Sequence, residues 1–128
     1  GVDGNRVSII IAVLEKHINL NLSTFDIYIN AAGGVKVSEP AIDLAIALAI
    51  ISSYKNKPFD AKTIAFGEIG LAGELRSVDH AARRMLEAEK LGFNSGILPK
   101  TNLKELKKGK IGALAASSLK EAAGACWQ

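Results

Sequence analysis

The stretch Thr63-Ile64-Ala65-Phe66-Gly67-Glu68-Ile69-Gly70-Leu71-Ala72-Gly73-Glu74-Leu75-Arg76 decides the reading of the fold. Its first four residues combine β-branched and aromatic side chains, as a short strand does. Glycines then recur at every third position, and Glu74-Leu75-Arg76 resumes strand character, so a glycine-bounded hairpin is predicted. The Gly-x-x-Gly-x-x-Gly spacing is not the dinucleotide fingerprint, and no Gly-x-x-x-x-Gly-Lys-Ser/Thr phosphate loop occurs in the chain. The glycines therefore read as turn residues, and no nucleotide-hydrolysing machinery is expected here.

Downstream, Asp79 is placed to cap a helix carrying Val78, Ala82, Met85 and Ala88 on its apolar side, with Gly92 and Phe93 as its stop. Ile97-Leu98 predicts a short strand, residues 102–108 a brief helix, 111–115 a last strand and 118–123 a final helical turn or two. Upstream, Pro40 sits where a helix loses nothing by a missing N–H, and Glu39 and Asp43 place negative charge at the positive end of the helix dipole. The helix over residues 40–54 is apolar nearly all round and so belongs at the centre. Before it, residues 25–30 alternate as a half-buried strand, Gly33-Gly34 breaks them, and Val35-Lys36-Val37 resumes the alternation. The apolar positions Val7, Ile10, Ile11, Leu14 and Ile18 follow a capping Asn5 and mark a first helix over 6–18. Alternating helices and strands predict an α/β (α+β) layer fold, with helices packed on a mixed sheet.

Composition agrees with one domain over residues 1–128: 48% of residues are hydrophobic and 23% charged. A chain of this size builds one core without staples. Cys126 is the one cysteine, which excludes an internal disulfide and suits a reducing, cytoplasmic setting. With His17 and His80 far apart in the chain, no ligand set for a metal is expected. The longest apolar run, residues 44–51, is far short of the roughly 18 residues that span a bilayer, so no membrane partner is expected. No charged segment followed by an apolar run opens the sequence, and no secretory signal is read. A net charge of +3, from 16 basic and 13 acidic residues, is compatible with a polyanionic partner without demanding one.

Several motifs in order carry a resemblance: Asn5-Arg6, residues 12–16 (Ala-Val-Leu-Glu-Lys), residues 26–30, Gly33-Gly34-Val35-Lys36, Glu39-Pro40-Ala41 and residues 67–76. Together they resemble the C-terminal domain of the bacterial RadA (Sms) family of DNA repair proteins. That domain is similar to the proteolytic domain of Lon proteases, a fold shared with the second domain of a small-subunit ribosomal protein. The resemblance places the Lon nucleophile at Ala41 and its partner lysine at Ala82. A Ser–Lys dyad needs a hydroxyl to attack and an amine to take its proton, and two methyl groups supply neither. The resemblance thus implies a degenerate peptidase. The alternative is an active Lon-type serine peptidase with an unrecognised nucleophile, for which Ser38 beside Lys36 is the nearest pair. A strand-end lysine in solvent keeps a pKa near 10 and is a poor base. Glu68 and Glu74 flank the hairpin and are expected to face solvent or pair with Arg76.

The resemblance further implies a full-length protein with an N-terminal zinc motif and a RecA-like ATPase, and so with ATP, Mg and Zn outside this chain and no cofactor within it. It also implies a hexameric ring acting in branch migration of recombination intermediates. DNA would then be held through sequence-independent backbone contacts. The candidates for that surface are Arg6, Lys36, Lys57, Arg76, Arg84 and Lys100. Arg6, Lys36 and Arg76 lie in the resembling motifs, and subunit contact is their competing role. Lys100 opens a lysine-rich run, with Lys104, Lys107, Lys108 and Lys110 opposed only by Glu105, which reads equally as phosphate contact or as a solvated face. No aromatic residues interleave with these charges, so stacking on single strands has no support.

Overall fold

A computed structural model describes residues 4–23, 25, 39–106, 109 and 111–127. The strands expected over 25–30 and 35–37 lie, Phe25 apart, outside the described residues, as do Lys36 and Ser38.

Helix α1 spans Gly4–His17 and buries Ile10, Val13 and Leu14, the stripe its periodicity marks. Asn5 stands inside its first turn rather than capping it. After a 3-10 turn at Pro40–Ile42, α2 runs from Asp43 to Lys55. It ends on Asn56, whose left-handed backbone brings two N–H groups back to the carbonyls of Ser52 and Ser53. Leu44, Ala47, Leu48 and Ile51 of α2 have almost no exposed surface, as an all-apolar central helix requires. Ala45 and Ala49 of this helix are exposed.

Strands β1 (Thr63–Ala65), β4 (Ser95–Pro99) and β5 (Gly112–Ala116) form a parallel sheet in the order β1-β4-β5. Register pairs Thr63 with Ser95 and Ile97 with Leu114. An antiparallel hairpin forms, but not between the expected arms: β2 (Glu68–Ile69), inside the stretch expected to turn, pairs with β3 (Leu75–Arg76) so that Glu68 faces Arg76, while residues 63–65, expected as the first arm, pair with β4. Helix α3 (Ala81–Lys90) crosses from the ribbon back to β4, and α4 (Leu119–Cys126) closes the described chain. Ser118 caps α4 by accepting from the Glu121 N–H at 3.1 Å. Among the described residues the sheet is parallel, with the antiparallel pair set apart.

Two start signals are corrected. Asp79 does not cap α3: His80 stands before it with a left-handed backbone, and the Ala81 N–H is taken by Glu105 Oε1 at 3.0 Å from a distant turn. The brief helix expected over 102–108 is a 3-10 turn, Lys100–Glu105, that follows β4 directly. The main core joins α1, α2, α4 and the hairpin through Leu14, Leu44, Leu48, Ile69 and Leu119. A smaller one gathers Phe66, Ala81, Met85 and Leu98 between α3 and β4.

Candidate functional site

The carboxyl ends of β1 and β4 meet the amino end of α2. Gly67, just past β1, donates its N–H to the Ala41 carbonyl at 2.8 Å and accepts from the Leu44 N–H at 3.0 Å. The ring of Pro99, at the end of β4, lies beside the Gly67 backbone. In parallel sheets this is the end at which ligands are bound.

Ala41 sits here in the 3-10 turn, 3% exposed. Ala82 stands half-buried in the first turn of α3. The neighbourhood of both is spanned by one ion pair: Arg84, two residues after Ala82, binds Glu39, two residues before Ala41. The same guanidinium donates to the Asp79 backbone carbonyl at 3.0 Å and pairs with its carboxylate at 3.3 Å, and it lies 5.9 Å from the Phe66 ring centre. Two methyl groups and an arginine clamped between carboxylates form no nucleophile and no base.

The second cluster surrounds Asp43, which sequence reading treats only as a dipole charge. Its carboxylate has no exposed surface, pairs with Arg6 and accepts the Ile69 N–H at 3.0 Å. Arg6 also reaches the Ile69 carbonyl at 3.5 Å and lies 3.9 Å from Glu68. One carboxylate therefore joins α1, α2 and the hairpin. The sequence offered no local signal for this: an acid in a helix's first turn requires a partner only once the fold has buried it.

The hairpin tip is shaped by Gly70 and Gly73. Gly73 has a left-handed φ of 81°, which disfavours any side chain there, and a Cβ would come within 3.3 Å of the His17 ring. The Glu74 carboxylate occupies the space a side chain at Gly70 would need. It accepts the Ala72 N–H at 3.1 Å and two donors of Arg76 at 3.1 and 3.2 Å. Its own backbone N–H and the Arg76 guanidinium hold its carboxyl below the usual glutamate range. Burial pushes the Cys126 thiol above its ordinary value, which makes it a sluggish nucleophile.

Arg6, Arg76, Arg84 and Lys100 are all drawn to the strand-end region, but with different freedom. Arg6 and Arg84 are engaged with carboxylates of their own chain and keep only 19% and 24% of their side chains exposed. Arg76 is 56% exposed and Lys100, at the start of the second 3-10 turn, is exposed. Lys57 lies beyond the far end of α2, which at 13 residues is about 20 Å long. It does not belong to the same cluster. Asn102, which sequence reading missed, is 1% exposed and exchanges two hydrogen bonds with the Val78 backbone, at 3.0 and 2.9 Å. It fixes the Lys100 turn against the approach to α3. Among the described residues no group of three or more His, Cys, Asp or Glu is placed to hold a metal ion, and no helix is long and apolar enough to cross a membrane.

Over 102 residues, 80% of the chain, the sequence is 50% identical to a DNA repair protein RadA of Listeria monocytogenes, of which it covers 22%. It is 52% identical over 103 residues to the protein of that name from Streptococcus pneumoniae and 54% identical over 103 residues to that from Streptococcus pyogenes. The chain spans only 24% and 23% of those two relatives. A family model described as subunit ChlI of Mg-chelatase matches residues 4–102, from α1 into the second 3-10 turn, and so takes in both alanines and every candidate cation. Since that match covers most of the chain, this protein belongs to the ChlI family.

Proposed function

We propose that the chain is a Lon-like domain of a RadA-type DNA repair protein, without peptidase activity, that adds subunit interface to a hexameric ring and holds DNA by backbone contacts. The observation that carries this reading is the Arg84–Glu39 ion pair, two residues from each of the alanines, Ala41 and Ala82, that the resemblance puts at the dyad positions. A shape suited to acyl transfer that keeps no nucleophile retains its value as a rigid frame. Identity of about half to proteins named DNA repair protein RadA supports the repair context. The ATPase, with its ATP, Mg and Zn sites, belongs in this reading to parts of the full protein beyond this chain, and the whole acts in the cytoplasm. Six copies in a ring would raise a weak DNA contact through effective concentration.

The test is to treat the full protein with a serine-reactive fluorophosphonate and with unfolded casein. No covalent adduct and no cleavage are expected, while sedimentation reports a closed ring. Labelling at Ser38 with casein turnover would overturn the non-peptidase reading, and a monomer at working concentration would overturn the scaffold.

A further inference from the structure

Between the end of β3 and the start of α3, residues 77–80 form a connector whose path is held by three side chains. Asn102, buried on the second 3-10 turn, accepts the Val78 N–H at 3.0 Å and donates to the Val78 carbonyl at 2.9 Å, as a neighbouring strand would. Arg84 donates to the Asp79 carbonyl at 3.0 Å. Glu105, on the same 3-10 turn as Asn102, accepts the Ala81 N–H at 3.0 Å. Between these ties His80 keeps a left-handed φ of 59°, a strained conformation that persists where its surroundings over-determine it. Asn102 and Glu105, which supply the ties at the two ends, both belong to the turn that Lys100 opens.

Arg76 stands two residues before Val78, and Lys100 two residues before Asn102. We infer that Asn102 is a positioning residue for DNA: through Val78 it holds the turn of Lys100 against the strand of Arg76, so that two exposed cations are presented to the phosphates as a fixed pair. The inference rests on the reading that the strand-end face meets DNA, and it names what sets the geometry of that face. An amide that satisfies both the N–H and the carbonyl of one residue fixes distance and direction together, and its burial keeps water from competing for either bond. A loop that must be ordered on binding loses affinity to that ordering, whereas a clasp that orders it beforehand removes the loss. Glu105 acts in the same sense from the other end of the connector.

The experiment uses the full protein that carries this chain and a fluorescein-labelled duplex of random sequence, read by anisotropy, with circular dichroism confirming that each variant is folded. Asn102→Ala is expected to weaken binding although the side chain it removes is buried, and the loss caused by Lys100→Ala is expected to shrink about threefold or more in the Asn102→Ala background. Because Asn102→Ala removes two buried hydrogen bonds, a charge-matched pair at an exposed position supplies an independent measure. Glu105→Ala and Glu105→Gln both remove one negative charge, but only glutamine keeps an acceptor for the Ala81 N–H, so Glu105→Ala is expected to bind about twofold or more weaker than Glu105→Gln. Strictly additive losses from Asn102→Ala and Lys100→Ala, or equal affinities for the two Glu105 variants, would overturn the positioning role and leave the clasp to stability alone, with the DNA reading standing. Should Lys100→Ala and Arg76→Ala change neither affinity nor its salt dependence in the otherwise unaltered protein, the strand-end reading itself fails and the positioning role falls with it.

Discussion

Asp43 and Arg6 put an ionised pair where α1, α2 and the hairpin meet. Taking two charges out of water is costly, and only the geometry of the pair and the Ile69 N–H offset it. Removing one partner leaves the other unsatisfied. Asp43→Asn is therefore expected to destabilise by about 3 kcal/mol, the low end of the range for a broken buried pair, because Arg6 keeps some exposure and has Glu68 within reach. Urea unfolding followed by circular dichroism measures it. Arg76→Ala, which breaks an exposed pair with Glu74, is expected to change stability by less than about 1 kcal/mol in the same assay. At this scale the sequence is only half legible. That Asp43 is negative and Arg6 positive can be read directly, but that they meet across 37 positions is a tertiary fact that no local period encodes.

At the scale of elements, a hairpin closed by Leu75–Arg76 was readable because its glycines act locally, although residues 63–65, expected as its first arm, pair with β4 instead and β2 lies in the stretch read as turn. The start of α3 was not, because the group that satisfies Ala81 comes from Glu105 on another turn, while the nearer Asp79 is drawn to Arg84. Two predictions belong here. Asn102→Ala strands the Val78 N–H and carbonyl and should cost about 2–3 kcal/mol, with hydrogen exchange accelerating first at Val78. The Glu74 carboxyl, lower in the fold than its ordinary 4.5, contributes to the hairpin at every pH above that value. That contribution is lost as pH falls through the folded value. The Ala72 amide resonance, whose N–H meets Glu74 Oε1, should therefore titrate with a midpoint below 4.5 and stop titrating in Glu74→Gln.

For the whole molecule, the proposed DNA contact turns on which end of the sheet would meet a phosphate backbone. Each phosphate neutralised adds roughly 0.9 to the slope of log affinity against log salt, so removing a cation that touches DNA lowers both affinity and slope. Arg76 and Lys100 are exposed near the strand ends, whereas Lys57 is beyond the opposite end of α2. With the strand-end face on DNA, Arg76→Glu and Lys100→Glu in the full protein should each weaken duplex binding and reduce the slope by about 1. Lys57→Glu should leave both unchanged. Arg6→Glu is uninformative for DNA, because it sets a third carboxylate beside Asp43 and Glu68 and is expected to unfold the domain. A slope insensitive to Arg76 and Lys100 but reduced by Lys57→Glu would turn the molecule round, putting the amino end of β1 on DNA and freeing the strand-end face for a neighbouring subunit.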